Sequence, residues 1–300
     1  MVRPWAHRSG SPAALLLAAV GCALVLALTG CSGSSDTRAA APPPAGSTYT
    51  LMQMNLCLSG LAGCHGKVAY PAVVEEAVAR IRGAHPDAVT LNEACRGNVA
   101  MIARRTGYHL RFSRVIYLGE SLRCVQPGGR GLFGDAVLTE AAIESTDNHD
   151  FEAQEGIERR RWLCVTTRVD VDVCTAHLNT RASTEVAGND GQCAELTALL
   201  ARRAAARTVI FGGDVNRRPS CAPDGFWTRT DRSAHQAPGL QHVYGTGALR
   251  SPSVEVVPAA HTDHDVLLVR AHLTAQPRAP SALRRIAARE RFAARSRLYE

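Results

Sequence analysis

Nine short runs rich in Val, Leu, Ile and Thr punctuate the sequence: Tyr49–Leu56, Ala88–Asn92, Leu132–Thr139, Trp162–Val169, Val171–Leu178, Thr208–Gly212, Leu240–Tyr244, Val254–Val257 and Val266–Ala271. Gly, Pro or Asp lies near most of them, so they read as strands. Helical spacing of apolar residues recurs at three places. Val74, Val78 and Ile81 mark the first, within Val73–Ile81 and before Gly83 and Pro86. The second is Val99–Arg105, before Gly107; the third is Cys193–Ala206, with Leu196, Leu199 and Leu200. Many strands with a few helices between them predict an α/β (α+β) sandwich. No repeat or internal linker breaks the stretch 49–272, which predicts one domain long enough to bury a core.

The two ends differ from this body. Arg3 and Arg8 precede an almost wholly apolar run from Pro12 to Leu28, closed by Thr29-Gly30-Cys31. That order is a secretory signal. A small residue directly before Cys is similar to the lipobox of bacterial lipoproteins, which implies cleavage before Cys31 and lipid on its sulfur. Residues 1–31 are then a signal segment, with an uncleaved membrane helix as the alternative. Residues 32–48, rich in Ser, Gly, Ala and Pro, predict a flexible linker. Residues 273–300 form a basic Arg/Ala-rich tail, predicted helical over Ser281–Glu300. The net charge of +7 is concentrated at these ends and gives the domain no general affinity for nucleic acid. With 46% hydrophobic and 20% charged residues, the composition excludes wholesale disorder, collagen and coiled coil. The expected location is extracytoplasmic, lipid-anchored to the cell membrane, and no obligate protein partner is expected.

Cysteine usage fits that compartment. Apart from Cys22 and Cys31, eight remain: Cys57, Cys64, Cys95, Cys124, Cys164, Cys174, Cys193 and Cys221. An even number in an exported chain predicts disulfides. No CxxC pair favours zinc. Cys164 and Cys174 lie on successive strand-like runs and can face each other across a hairpin, and Cys57 and Cys64 bracket one short loop. Elimination leaves Cys95–Cys124 and Cys193–Cys221.

Polar residues close several of the apolar runs. Gln53 and Asn55 end the first, and Asn92-Glu93 follows Asp87-Ala-Val-Thr-Leu. His177-Leu-Asn179 ends Val171-Asp-Val-Cys-Thr-Ala, and Gly213-Asp214-Val-Asn216 ends Thr208-Val-Ile-Phe-Gly. Asp263-His264-Asp265 opens Val266-Leu-Leu-Val. Strand ends on one edge of a sheet can converge on a cleft. Each alone has a structural alternative: a turn for Gly-Gly-Asp-Val-Asn, a helix cap for Glu93, a packed strand histidine for His177, a loop salt link for Asp263-His264.

Taken in order, these segments resemble the endonuclease/exonuclease/phosphatase superfamily, across nearly the whole of 49–272. Gln53-Met-Asn55, Pro86-Asp87-Ala-Val-Thr-Leu-Asn-Glu93, Ala176-His177-Leu-Asn179, Gly213-Asp214-Val-Asn216 and Thr262-Asp263-His264 look like its motifs. Gly134-Asp135-Ala-Val-Leu is similar to a further segment, with Asp135 in place of the usual Asn. The resemblance implies a deoxyribonuclease I-like fold, a four-layer sandwich of two packed mixed β-sheets flanked by helices. It implies a Mg²⁺-dependent hydrolase of phosphate esters, with Mn²⁺ or Ca²⁺ as alternatives. Asn55, Glu93 and Asp263 would hold the metal, as hard oxygen ligands suit it. Asp214 would activate water; Asn216 and His177 would bind the phosphoryl oxygens; His264 would be general base or phosphate contact. One residue departs from the pattern: Gln241 stands where the family usually places an Asp beside the catalytic His. Asp265 or Asp231 could replace that carboxylate, or His264 could be a weaker base.

The substrate stays open. An extracytoplasmic nuclease cleaving phosphodiester bonds is the first reading, with nucleic acid as substrate and Arg96, Arg104, Arg105, Arg111, Arg114 and Arg159–Arg161 as candidate phosphate contacts. The second is a phospholipid head-group phosphodiesterase (sphingomyelinase-like) or a phosphatase, for which an exposed apolar loop is expected near the cleft, Ala222–Trp227 being the candidate. The third is a non-catalytic envelope binding protein with a vestigial site.

Overall fold

The computed structural model describes residues 46–181 and 186–274. The signal segment, most of the linker, Cys31 and the tail beyond Thr274 lie outside the described residues. In chain order the elements are β1 (Thr48–Asn55), α1 (Ala72–Ala84), β2 (Ala88–Cys95), α2 (Arg96–Thr106), β3 (His109–Arg114), β4 (Ile116–Tyr117), β5 (Glu120–Ser121), β6 (Phe133–Thr139), β7 (Ile143–Asp150), β8 (Glu158–Arg159) and β9 (Arg161–Thr167). They continue with β10 (Val171–Ala176), α3 (Val186–Ala204), β11 (Thr208–Asp214), β12 (Trp227–Thr230), β13 (Gln241–Gly245), β14 (Leu249–Val257) and β15 (Val266–Leu273).

Two six-stranded mixed sheets result, ordered β14-β15-β1-β2-β6-β3 and β12-β13-β11-β10-β9-β7. Each holds one parallel pair, β1 with β2 and β10 with β11. Parallel neighbours need a crossover, and α1 and α3 supply them. Three apolar cores separate four layers. Val74, Val78, Ile81, Val99 and Ile102 of α1 and α2 pack on Met52, Leu91 and Leu138 of the first sheet. Leu51, Val137, Leu163, Val173 and Ile210 fill the space between the sheets. Leu196, Leu199 and Leu200 of α3 cover Val209 and Phe211 of the second sheet. The sheets approach closely at Gly212, where a Cβ would collide with Thr90 and Leu51 of the opposite sheet.

The structure extends the helices past their apolar periodicity. α2 starts at Arg96 because β2 runs on to Cys95 and the chain turns straight into the helix. Glu93 therefore lies within β2 and caps nothing. α3 starts at Val186 because Asn189 and Gln192 in its first turns are buried although polar. β3, β7 and β12 are strands that the sequence leaves unmarked. All three are sheet edges, half exposed and polar, so no apolar run betrays them. The eight cysteines form four disulfides, Cys57–Cys64, Cys95–Cys124, Cys164–Cys174 and Cys193–Cys221. Cys164 and Cys174 are direct cross-strand partners in the β9–β10 hairpin.

His242 is a packed histidine and no ligand. Tyr244 Oη lies 2.7 Å from its Nδ1 and accepts the Cys221 N–H at 3.0 Å, while Nε2 faces Gly239 O. Tyr244 thus donates to Nδ1, and the ring is neutral. Burial pushes its pKa from 6.5 down to about 4. Between those values the unfolded chain takes up a proton that the folded chain refuses, so stability falls as pH drops through this window, by at most about 3 kcal/mol. His242→Gln is expected to lose less stability than the parent between pH 7 and pH 5, read from urea denaturation midpoints.

Candidate active site

The two parallel pairs point their carboxyl ends at one edge of the sandwich, where a cleft of about 470 Å³ opens. Asn55 closes β1, Glu93 sits at an irregularity of β2, His177 follows β10 and Asp214 closes β11. Glu93, His177, Asp214, Asn216, Asp263 and His264 line the cleft, and Asn55 lies at its floor. Glu93 and Asn216 both adopt left-handed backbone (φ 52° and 51°), which turns their side chains off the regular pleat.

Asp214 is the junction. Asn55 Nδ2 donates to its Oδ2 and to Glu93 Oε1, both at 3.0 Å. Asn216 N donates to Oδ1 at 3.0 Å, and the Asp214 N–H donates to Asn92 Oδ1 at 2.8 Å. His264 Nε2 lies 3.4 Å from Oδ2. Burial alone would raise the Asp214 pKa; the His264 imidazole and the donors from Asn55 and Asn216 outweigh it and hold the carboxyl below its ordinary value. Glu93 is the reverse case. Burial pushes it to about 7, with the Asn55 donor and Arg160 only partly offsetting that rise.

The sequence offers Arg160 only within Arg159–Arg161, as a phosphate contact, and gives no sign of its bond to His177. It is buried, and its Nη1 lies 2.7 Å from His177 Nδ1 and 3.2 Å from Glu158 Oε1. A guanidinium only donates, so His177 Nδ1 accepts from Arg160. Nε2 lies 3.0 Å from Asn216 Nδ2, which also donates to Leu178 O, and 3.8 Å from both Glu93 and Asp214. Burial, then the Arg160 charge, drive the His177 pKa down to about 3. His177 is thus held neutral at the cleft. The signal for Arg160 was its place one residue before an apolar strand, hidden within Arg159–Arg161.

Asn92 is a second missed residue. It donates to Asp135 Oδ1 at 2.9 Å and accepts from Gln53 Nε2 at 2.8 Å, behind the cleft. Asp135 therefore supports Asn92 and does not reach the cleft; burial raises its pKa to about 7. From α3, Gln192 Oε1 accepts the Asn179 N–H, and Asn189 Nδ2 donates to Asn179 O and Val215 O, fixing both loops. Thr262 Oγ1 donates to Asn55 O and ties the terminal motif to β1.

Gln241 is corrected as a partner of His264. Its Nε2 donates to Asp265 O at 2.6 Å and to Asp231 Oδ2 at 3.3 Å, and its Oε1 accepts from Gln53. Asp265 and Asp231 do not replace it. The Asp265 carboxylate accepts the N–H groups of His235 and Ala259, and Asp231 accepts those of Gly239 and Gln241. His264 Nδ1 is buried without a hydrogen-bond partner.

The donor set fits a hard divalent cation. Four carboxylates, Glu93, Glu158, Asp214 and Asp263, line the cleft, and Asp263 Oδ1 is buried without a partner. Glu93 and Asp263 would hold the ion. Asn55, expected beside them as a ligand, turns its Nδ2 to Glu93 and Asp214 and its Oδ1 to the Cys57 N–H, so its oxygen does not face the cleft. Cys57, Cys64 and Glu93 also cluster, but the sulfurs are joined to each other and offer no thiolate.

The family model of the endonuclease/exonuclease/phosphatase family matches residues 63–264, and the chain belongs to this family. Its members are generally hydrolases of phosphate esters that use divalent metals such as Mg²⁺. No curated protein matches the sequence. Among solved structures it is similar to an endonuclease/exonuclease/phosphatase from Beutenbergia cavernae (TM-score 0.57, 20% identity, 77% of this chain and 73% of that one). It is also similar to the human Nocturnin catalytic domain with bound sulfate (TM-score 0.59, 14% identity, 76% and 94%) and to D. rerio TDP2 complexed with single-strand DNA product (TM-score 0.50, 13% identity, 75% and 99%). These likenesses show the deoxyribonuclease I-like fold.

Gln241→Asp would set a carboxylate against the Asp265 carbonyl and the Asp231 carboxylate. The variant is expected to lose about 1–3 kcal/mol of stability in denaturant titration and to gain no turnover. A stable variant with raised activity would restore Gln241 as the His264 partner.

Proposed function

We propose that this protein is a Mg²⁺-dependent phosphodiesterase acting on nucleic acid outside the cytoplasm. One observation carries the reading: Asn55, Glu93, His177, Asp214, Asn216, Asp263 and His264, spread over five segments, meet at one cleft. A divalent ion, when bound, neutralises charge developing on the phosphoryl group. The chain's own groups do the rest. Arg160 and the Asn216 amide offer donors to the non-bridging oxygens, with His177 between them. The ionised Asp214 orients the attacking water and accepts its proton, and His264 stands beside it as second base or phosphate contact. Burial and the Arg160 charge keep His177 neutral.

Nucleic acid is favoured by the arginines around the cleft and, by analogy, by the single-strand DNA product held in D. rerio TDP2. Four disulfides support an oxidising compartment, and Cys31 supplies the attachment point for lipid there. A second reading, hydrolysis of phospholipid head groups, is favoured by the cleft rim. Leu118 (68% exposed) and Ile157 (54%) are bonded neighbours beside the cleft residues Tyr117 and Glu158, and Leu61 (58%) stands in the cleft wall. The Ala222–Trp227 segment is no such loop: Phe226 packs on the core, and Trp227 covers Gly245 and donates to Leu249 O.

Asp214→Ala is expected to abolish Mg²⁺-dependent nicking of supercoiled plasmid while circular dichroism stays unchanged; full activity would remove the assignment. Turnover of sphingomyelin or a phosphoinositide without nicking would select the second reading. Cys31→Ala is expected to move the protein from the membrane to the soluble fraction, and continued membrane retention would indicate an uncleaved anchor.

A further inference from the structure

A second concavity, about 520 Å³, opens beside the catalytic cleft. Arg96, Arg111, Arg114 and Arg161 surround it, Phe112 and Leu132 form apolar wall, and no carboxylate lines it. Arg161 is engaged by Asp150, and Arg111 donates to Thr146 Oγ1 and Leu110 O. Arg96 and Arg114 contact no carboxylate among the described residues and are exposed. Asp150 offsets Arg161, while the guanidinium groups of Arg96, Arg111 and Arg114 repel one another around the hollow with no carboxylate lining it.

The position relates it to the chemistry. β9 begins between Arg160, in the cleft, and Arg161, in this pocket. Phe133 lines the cleft and its neighbour Leu132 lines the pocket. Arg96 follows Glu93 by three residues, and Arg114 pairs with Gly134, next to Asp135. Consecutive residues of two segments thus divide between the cleft and the pocket, which makes the two hollows neighbours. The pocket also borders β3, an edge strand paired only by β6.

We infer that this pocket is a subsite for a nucleotide flanking the scissile phosphate of a polynucleotide. Arginine forks match a phosphate bidentately, and the Phe112 ring and Leu132 give a base an apolar face. A sphingomyelin head group bound in the cleft has no second phosphate, and neither it nor a phosphoinositide has a base to place there. The inference rests on the nucleic-acid reading above and sharpens it: the substrate spans more than the cleaved linkage.

The test uses the full chain and the Arg96→Ala/Arg114→Ala variant. Binding of a labelled single-stranded DNA oligonucleotide is followed by fluorescence anisotropy in chelator across a salt series. Turnover of an aryl phosphodiester, which fills the cleft alone, is measured with Mg²⁺. The variant is expected to bind DNA about tenfold more weakly, the loss of one charge-assisted contact. Its log–log salt slope should be shallower by about 0.7. Aryl turnover should be unchanged. Equal affinity and slope in both proteins overturn the subsite while plasmid nicking leaves the nuclease reading standing. An equal loss of aryl turnover also overturns it, because the arginines would then serve the cleft. DNA binding lost in the variant, from a parent that nicks no plasmid, overturns the nuclease reading and with it the flanking-nucleotide subsite, leaving a DNA-binding pocket alone. A parent that neither binds nor nicks removes both.

Discussion

The two sheets meet chemically at Asp214. Asn55 of the first sheet donates to its carboxylate, and Asn92 of the first sheet accepts its N–H. Both bonds are buried, so neither amide can turn to water instead, and breaking either leaves an unpaired polar group inside. The cleft exists only while this seam is closed. Gly212 makes the close approach sterically feasible, and Gln53, Asn92 and Asp135 continue the seam behind the cleft as a run of amides and one carboxyl. The same contacts that register the sheets therefore set the carboxylate that faces the cleft.

Around that seam the site stores opposed electrostatic demands. Glu93, Asp214 and Asp263 are brought together with little solvent, which raises Glu93 to about 7 and leaves Asp263 Oδ1 without a partner. A hard cation bound there would relieve both. His177 has the opposite fate, since burial and Arg160 keep it neutral. The cleft thus pairs oxygen ligands on one side with neutral and cationic donors on the other. That polarity suits a phosphate bridging a metal and hydrogen-bond donors.

Around the site, chemistry changes over short distances. One flank carries the arginine hollow with its Phe112 wall; the rim carries Leu118 and Ile157 on the small β5-β4-β8 sheet. The first suits an anionic chain with bases, the second an apolar surface. The shared catalytic groups are indifferent to that difference, so the choice of substrate belongs to these flanks.

Residues of the site and the class of fold were legible in the sequence because they obey local rules. Buried strands announce themselves as apolar runs, and the polar groups that end them follow in fixed order: Asn55, Glu93, His177, Asp214, Asp263 and His264. Edge strands such as β3 and β7 stayed hidden because their side chains are polar and half exposed. The start of α3 was hidden for a related reason, since Asn189 and Gln192 are buried by bonds to the site loops. Only the tertiary structure decided which charge faces which. It turned Gln241 toward Asp265 and away from His264, placed Arg160 on His177, and gathered four distant arginines into one hollow. Such pairings join residues far apart in the chain, and their energies depend on burial and direction. Linear order carries composition and period, but it cannot carry the low-dielectric distances that give these charges their meaning.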